Sequence, residues 1–134
     1  MKKIVIKVEK TRTGFSAYAE NYPAFTTGES SAELVSHMVE ALNLYFEAKG
    51  EKRVISVTNL TFEIQISSVF DVFPINIKAL ADRIGMNYTL LSQYATGKKN
   101  PSGKQLEKIL TGIHEIGREL TGISLIGVIE AGKR

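Results

Sequence analysis

The sequence predicts an α+β protein, with a small ββ(β)αβ sheet-and-helix domain over residues 1–67 and an all-α helix-turn-helix bundle over residues 68–134. Three features predict this class. Apolar residues alternate, as strands require, near the N-terminus and again after residue 59, and one amphipathic helix lies between these segments. After residue 68 the apolar spacing becomes helical. Together these patterns place one helix on one face of a small sheet, with a helical bundle after it.

The chain begins with a predicted β-hairpin. Alternation over residues 2–9 predicts a first strand, and residues 15–20 predict a second strand after a turn at residues 11–14. A short third strand is predicted at residues 25–27, and Gly28 is expected to end it.

One helix and one strand complete the predicted first domain. Ser30 and Glu33 have the spacing of a capping box, in which each side chain accepts a hydrogen bond from the other residue's backbone N–H. A helix is therefore predicted to begin at this point and to stop near Gly50. Residues 60–67 alternate without interruption, which predicts a strand along their whole length.

The segment from Ile77 to Gln105 predicts two short helices joined by a tight turn. Before it, Ser68 is expected to cap a short helix that Pro74 ends, because proline removes a backbone donor. Asn76 can cap the first helix of the pair, Asn87 can cap the second, and Gly97 can end the second. This segment resembles the helix-turn-helix of phage-repressor-like proteins, in which an alanine is followed by a glycine four residues later, an apolar residue six after that and another three later. The residues with this spacing are Ala81, Gly85, Leu91 and Tyr94.

Operator DNA is the expected ligand of this motif. The second helix of a helix-turn-helix enters the major groove, so its outward residues can contact base edges, and a basic loop after it can contact phosphates. Gln can pair with adenine through two hydrogen bonds, and the Thr methyl group can contact the thymine methyl group. The predicted DNA-binding residues are Asn87, Tyr88, Thr89, Ser92, Gln93, Lys98, Lys99 and Asn100.

The distribution of charge agrees with this prediction. The net charge is only +3, and residues 1–67 contain 8 basic and 8 acidic residues. Residues 68–134 contain 9 basic and 6 acidic residues, so the whole excess lies in the half that contains the helix-turn-helix.

A long helix and an apolar tail end the chain. Ser102 and Gln105 have the spacing of a second capping box, and the helix that they open is expected to stop at Gly122. Its apolar residues form one stripe that is expected to be buried: Leu106, Ile109, Leu110, Ile113, Ile116 and Leu120. The tail is too apolar to stay in water, so it is expected to lie in a homodimer interface, with packing onto the long helix as the alternative. Its apolar residues are Ile123, Leu125, Ile126, Val128 and Ile129.

The order of parts resembles the HicB antitoxins, which join a degenerate RNase H-like ββ(β)αβ domain to a repressor-type helix-turn-helix. In the first half the resemblance depends on the two-strand start and on Tyr22-Pro23 leading to Thr27-Gly28-Glu29-Ser30. The helix that begins Ala32-Glu33-Leu34 follows, as in that family. The segment from Asn21 to Phe25 departs from the family, because Ala24-Phe25 replaces a Leu-Pro-Gly-like run.

The resemblance implies an antitoxin of a type II toxin-antitoxin pair. Its first domain would neutralise a HicA-like mRNA-cleaving toxin, and its second domain would repress the shared operon as a homodimer or higher oligomer. The expected toxin is basic, so an acidic stripe on the first helix and the nearby edge are its predicted binding surface. The partner-binding residues are predicted to be Tyr22, Glu29, Glu33, Glu40 and Glu47.

No enzymatic activity is predicted. A nuclease of RNase H type needs carboxylates that converge on divalent metal, but residues 1–67 contain no aspartate and their glutamates lack ligand spacing. His37 and His114 stand alone, so no metal, cofactor or catalytic residue is expected. The absence of cysteine and of an apolar run of about 20 residues favours a cytoplasmic protein without a membrane span. A one-component repressor with an effector-binding first domain is the alternative function.

Overall fold

A computed structural model describes residues 2–128 and confirms the predicted α+β class. No helix within this range combines the length and apolar content that crossing a bilayer requires. The strands are β1 (Ile4–Lys10), β2 (Phe15–Ala19), β3 (Phe25–Gly28) and β4 (Leu60–Glu63). The helices are α1 (Ser31–Ala48), α2 (Ile66–Val72), α3 (Ile77–Ile84), α4 (Tyr88–Ala95) and α5 (Gly103–Leu120), with a 3-10 turn at Val57–Asn59.

The four strands form one mixed sheet in the order β3-β2-β1-β4. The hairpin of β1 and β2 is antiparallel, as is the pair of β2 and β3, whereas β4 lies parallel to β1 with Leu60 opposite Ile4. A parallel neighbour requires a crossover connection, and α1 is the helix in that connection. The crossover places α1 over one face of the sheet and leaves the other face without a helix from this unit.

Helix α1 packs closely against the sheet because its buried residues share one side. Leu34, Met38, Leu42 and Phe46 are each 0 % exposed. A Cβ atom at Gly28 would lie 2.8 Å from the backbone N of Leu34, so only glycine permits this close approach of β3 and α1.

The capping boxes predicted at the starts of α1 and α5 are each half formed. Ser30 Oγ accepts a hydrogen bond from the backbone N–H of Glu33 at 3.2 Å, and Ser102 Oγ accepts one from that of Gln105 at 3.2 Å. Within residues 2–128, neither the Glu33 nor the Gln105 side chain accepts a hydrogen bond from the backbone N–H of the capping serine. The forward bond alone supplies a partner for a free N–H group at each helix start.

The predicted strand over residues 60–67 is wrong after Glu63. Strand β4 pairs with β1 only from Leu60 to Glu63, and the chain then begins α2 at Ile66. The alternation of apolar and polar residues continues past the end of β4 because the apolar residues of this segment pack into two different cores. Phe62 and Ile64 pack against the core under the sheet, whereas Ile66 packs against the core of the helical bundle.

Helix α2 belongs to both cores. Val72 is 5 % exposed and lies in the first core, and Phe73 packs beside it with its ring edge-on to Phe62 at 5.8 Å between centroids. Ile66 and Phe70, from the first turns of the same helix, pack against the second core. The prediction that Ser68 caps this helix is wrong, because Gln65 is the N-cap and no side chain caps it.

The second core holds α3, α4 and α5 together. Gly112 of α5 is buried against α3, where a Cβ atom would overlap Ile84 Cγ2 and lie 3.0 Å from Leu80 Cδ1. Ile109 is 2 % exposed on the same side of α5.

The prediction that the whole apolar stripe of α5 is buried is wrong. Leu106, Leu110 and Leu120 are 43 %, 51 % and 59 % exposed, because α3 covers only the side of α5 that carries Ile109 and Gly112. Residues 123–128 have no regular structure and do not pack back onto α5, since Leu125 is 89 % and Val128 is 97 % exposed. Ile129, also assigned to the apolar tail, lies outside the described residues.

Candidate nucleic-acid interface

The turn between α3 and α4 has the geometry that the sequence predicts. Gly85 adopts a φ of 66°, in the left-handed region that glycine enters without steric cost. The next residue, Met86, donates its backbone N–H to Ala81 O at 3.0 Å, which is the six-to-one bond of a Schellman motif. Met86 is also buried, so the turn is held from both its backbone and its side chain.

Asparagine caps set the starts of both helices. Asn76 Oδ1 accepts the backbone N–H of Ala79 at 2.9 Å at the start of α3. Asn87 Oδ1 accepts those of Thr89 at 2.8 Å and Leu90 at 3.3 Å at the start of α4. Since capping occupies the Asn87 oxygen, its amide nitrogen is the atom of this side chain that remains for DNA.

Two sides of α4 are clearly distinguished by burial. Leu91 and Tyr94 are 0 % and 7 % exposed and pack in the second core. Tyr88 is 48 % exposed and Thr89 is also exposed, whereas Ser92 and Gln93 are half-buried. The helical period places these four residues away from Leu91 and Tyr94, so they form the outward surface of α4.

The loop after α4 is tied to the end of that helix. Gly97 turns the chain with a φ of 79°, and the backbone N–H of Lys99 donates back to Gln93 O at 3.2 Å. The loop therefore carries Lys98 and Lys99 beside the C-terminal end of α4. Both lysines are exposed, and neither forms an ion pair with a residue between 2 and 128.

Asn100 has a different position from the two lysines. It is exposed and lines a groove between the loop before α5 and the uncovered face of the sheet, together with Pro101, Lys7 and Glu9. A basic residue that the sequence prediction omitted, Lys104, is exposed in the first turn of α5 and close to this loop in sequence. The excess of basic residues after residue 68 was the feature that could have identified it.

Ion pairs neutralise part of the remaining charge in this unit. Lys78 Nζ lies 3.2 Å from Asp82 Oδ1 along α3. Arg83 at the end of α3 donates to both carboxylate oxygens of Glu119 on α5, and the hydrogen bond with Glu119 raises the pKa of Arg83. The Arg83 pair joins α3 to α5, whereas the Lys78 pair lies within α3, and neither pair involves the lysines of the 98–99 loop.

The predicted partner-binding residues of the first unit do not form one uniform surface. Glu29, Glu33, Glu40 and Glu47 are exposed, and the last three lie two helical turns apart on α1. Tyr22 is half-buried, because its ring packs edge-on against Tyr45 at 5.8 Å and Phe46 at 5.1 Å. Its hydroxyl group accepts a hydrogen bond from Arg53 Nη1 at 3.4 Å.

His37 of α1 forms a hydrogen bond with the backbone of β3. His37 Nδ1 lies 2.8 Å from Thr27 O, and since a carbonyl oxygen can only accept, this nitrogen carries the proton. Among residues 2–128, no cluster of three or more histidine or carboxylate side chains is arranged to hold a metal ion.

Comparisons with protein-family models, with curated proteins and with solved structures found no match for this chain. The resemblance to the HicB antitoxins therefore depends on the residues of this sequence alone.

Proposed function

We propose that this protein is a DNA-binding antitoxin, which represses its own operon through α3 and α4 and neutralises a HicA-like ribonuclease toxin through the sheet-and-helix unit. The observation that supports this proposal most is the pair of capped helices with a glycine turn between them. It leaves the outward residues of α4 and the Lys98–Lys99 loop free beside each other. Such a surface can contact base edges and flanking phosphates together.

Operator binding is proposed to require a homodimer. A helix-turn-helix protein reads two half-sites about 34 Å apart, so a second copy must present the second recognition helix. The apolar side of α5 and the tail are the surface proposed for this contact. It includes large apolar side chains that are each at least 43 % exposed: Leu106, Leu110, Leu120, Ile123, Leu125, Ile126 and Val128. Their burial between two copies would remove a large apolar area from water.

The toxin is proposed to bind the first unit as a basic protein. Glu33, Glu40 and Glu47 lie along α1 without an ion pair to any residue in the described part of the chain. Opposite charge on a partner would speed association by electrostatic steering, an effect that salt weakens. Replacement of Glu40 and Glu47 by lysine is therefore expected to slow toxin association at low salt.

Coexpression with the polypeptide encoded by the adjacent reading frame tests the antitoxin function. A tagged copy of this chain should retain a small basic protein in stoichiometric amount. When the basic protein is expressed alone it should arrest growth, and coexpression with this chain should prevent that arrest. The complex should also bind a DNA fragment from upstream of the two genes. If no basic protein is retained and the adjacent product is harmless, the antitoxin function is wrong.

A second candidate function is a one-component repressor that responds to a small effector. The observation that favours it is the groove between the sheet face and α5, which is lined by both units through Tyr18, Glu63, Asn100 and Leu106. Native mass spectrometry of the protein purified from its own cells distinguishes the two functions. A bound metabolite of stoichiometric amount supports the effector, and a bound basic protein supports the antitoxin.

A further inference from the structure

The face of the sheet opposite α1 carries a row of four side chains that crosses all four strands. Phe25 lies opposite Tyr18, Tyr18 opposite Lys7, and Lys7 opposite Glu63. Their neighbours along the strands, such as Ile6, are buried under α1, so the row lies on the uncovered face.

The aromatic end of this row is exposed. Phe25 is 66 % and Tyr18 is 43 % exposed, although these residues lie directly opposite each other on adjacent strands. Tyrosine and other aromatic residues are the common anchors of protein interfaces, because one rigid ring buries a large area. Two adjacent exposed rings on a sheet face are therefore an unexplained apolar feature.

Acidic residues surround the rings. Glu63 forms an ion pair with Lys7, and Glu9 and Glu20 have no ion pair with any residue from 2 to 128. The pKa of Lys7 is raised, first by its hydrogen bond with Glu63 and further by the negative charges of Glu63 and Glu20. The face thus has one lysine among three glutamates. This charge opposes nucleic acid and favours a cationic partner.

The edge strand offers main-chain groups beside the rings. Ala19 N donates to Ala24 O at 3.0 Å, so residues 24, 26 and 28 direct their backbone groups toward β2, and Phe25 and Thr27 direct theirs outward. His37 donates to the Thr27 carbonyl oxygen, which leaves the backbone groups of Phe25 facing the open edge. An extended segment can therefore pair with this edge while its side chains contact the rings.

We propose that the sheet face around Tyr18 and Phe25, together with the open edge at Phe25, is the docking surface for an extended protein segment rich in arginine or lysine. The cationic side chains lie over the two rings, and Glu20 and Glu9 neutralise them. The groove between the sheet face and the loop before α5 includes Tyr18, Glu9 and Glu63, so it extends the acidic surface beside the rings. The docking surface rests on the proposed function in that it gives a basic partner a second contact, on the opposite face of the sheet from the glutamates of α1.

A synthetic peptide of alternating valine and arginine, capped at both ends, is the probe for this surface. In a titration of the full-length protein followed by amide NMR, the largest shifts are expected at residues 16–18 and 25–27. The variant Tyr18→Ser/Phe25→Ser should weaken binding by about tenfold or more. Glu9→Gln/Glu20→Gln keeps the side-chain shapes and should also weaken binding, with a smaller dependence on salt.

The matched control is Leu44→Ser/Val54→Ser, which removes two side chains that are 58 % and 81 % exposed outside the sheet face and should leave peptide affinity unchanged. Circular dichroism confirms that each variant is folded. Four outcomes would each overturn the proposal. The first two are equal binding of a valine–glutamate peptide and NMR shifts centred on Glu40 and Glu47 instead of on the rings. The others are preferred binding of oligouridylate at the rings and no binding of the arginine peptide. This titration uses neither toxin nor operator, so its failure is distinct from failure of the antitoxin function.

Discussion

Single residues determine where the short helices of the second unit start, turn and touch. The caps Asn76 and Asn87 and the turn residue Gly85 act locally, through one or two hydrogen bonds each or a positive φ. Gly112 acts at a distance in sequence, because its missing side chain lets α5 approach Leu80 and Ile84 of α3. Residues that act locally and residues that act through a distant contact therefore differ in how much folding stability a substitution would remove.

Gly112→Ala is expected to destabilise the protein, whereas Gly117→Ala is expected to stabilise it. Both glycines lie inside α5, where alanine gains roughly 1 kcal/mol of helix propensity. At Gly112 the added methyl group overlaps the branched side chain of Ile84, and overpacking of this kind costs about 1–3 kcal/mol. At Gly117 nothing lies within 4 Å of the added atom. Urea unfolding of both variants measures the difference, and equal midpoints would contradict the close α3–α5 contact.

Gln93→Ala and Thr89→Ala are expected to reduce discrimination among DNA sites without loss of stability. Each contact to a base edge contributes about 1–3 kcal/mol of discrimination, and both side chains lie on the outward side of α4. Selection from a random-site library, compared with the parent protein, measures the change. A site preference identical to that of the parent would exclude a base-reading role for Gln93.

At the scale of elements, α2 joins the two cores of the molecule, and a backbone hydrogen bond attaches the loop after α4 to the end of that helix. Helix α2 contributes Val72 to the core under the sheet and Ile66 and Phe70 to the core of the bundle. The two units therefore share one helix instead of a flexible linker. The loop after α4 is likewise attached, because Lys99 donates its backbone N–H to Gln93 O.

Lys98→Ala/Lys99→Ala is expected to weaken binding to all DNA sequences alike. The attached loop keeps both charges beside α4, so their loss should reduce the slope of log affinity against log salt by about 2. The control Lys2→Ala/Lys3→Ala makes the same change in net charge at exposed positions in the first unit. Fluorescence anisotropy over a range of salt measures both slopes. The same slope for the two variants would show that only total charge matters.

At the scale of the whole molecule, α5 and the tail expose large apolar side chains that no other part of residues 2–128 covers. Leu110 is 51 % exposed on the helix, and Leu125 and Ile126 are 89 % and 81 % exposed on the tail. Each large apolar side chain gains about 1.5–3 kcal/mol on full burial. A second copy that covers this surface would also supply the second recognition helix.

A chain that ends at Gly122 is expected to be a folded monomer with much weaker operator binding. The truncation removes the exposed apolar tail and leaves α5 intact, since the helix ends at Leu120. Light scattering at micromolar concentration measures the molar mass, and circular dichroism checks the fold. The full-length variant Leu125→Ser/Ile126→Ser is the control for chain length and should behave in the same way. If the truncated protein remains dimeric, the tail is not part of the dimer interface, and α5 is the remaining candidate.

The elements that local chemistry specifies were predictable from the sequence. Alternation of apolar residues predicts strands β1, β2 and β3. The turn at Gly85 follows because glycine enters positive φ freely, and the caps follow because one side-chain oxygen of Asn76 or Asn87 is enough to cap the start of a helix. The end of β4 was not predictable, because alternation through Ile66 has the same form whether its residues face one core or two. The half-burial of Gln93 and the position of Asn100 in a groove also depend on packing between distant segments.

The sequence by itself determined the α+β class, the order of elements and the side of α4 that faces outward, because periodicity and capping act within a few residues. Only the tertiary structure decided that α2 serves both cores, that half of the α5 stripe stays exposed, and that Tyr18 and Phe25 meet on an uncovered face. These outcomes depend on which surfaces meet, and the apolar pattern of one element does not specify its partner. Alternation within β2 implied only that Tyr18 points outward, since Phe15, Ala17 and Ala19 point inward, and its position opposite Phe25 depends on the register of β2 and β3.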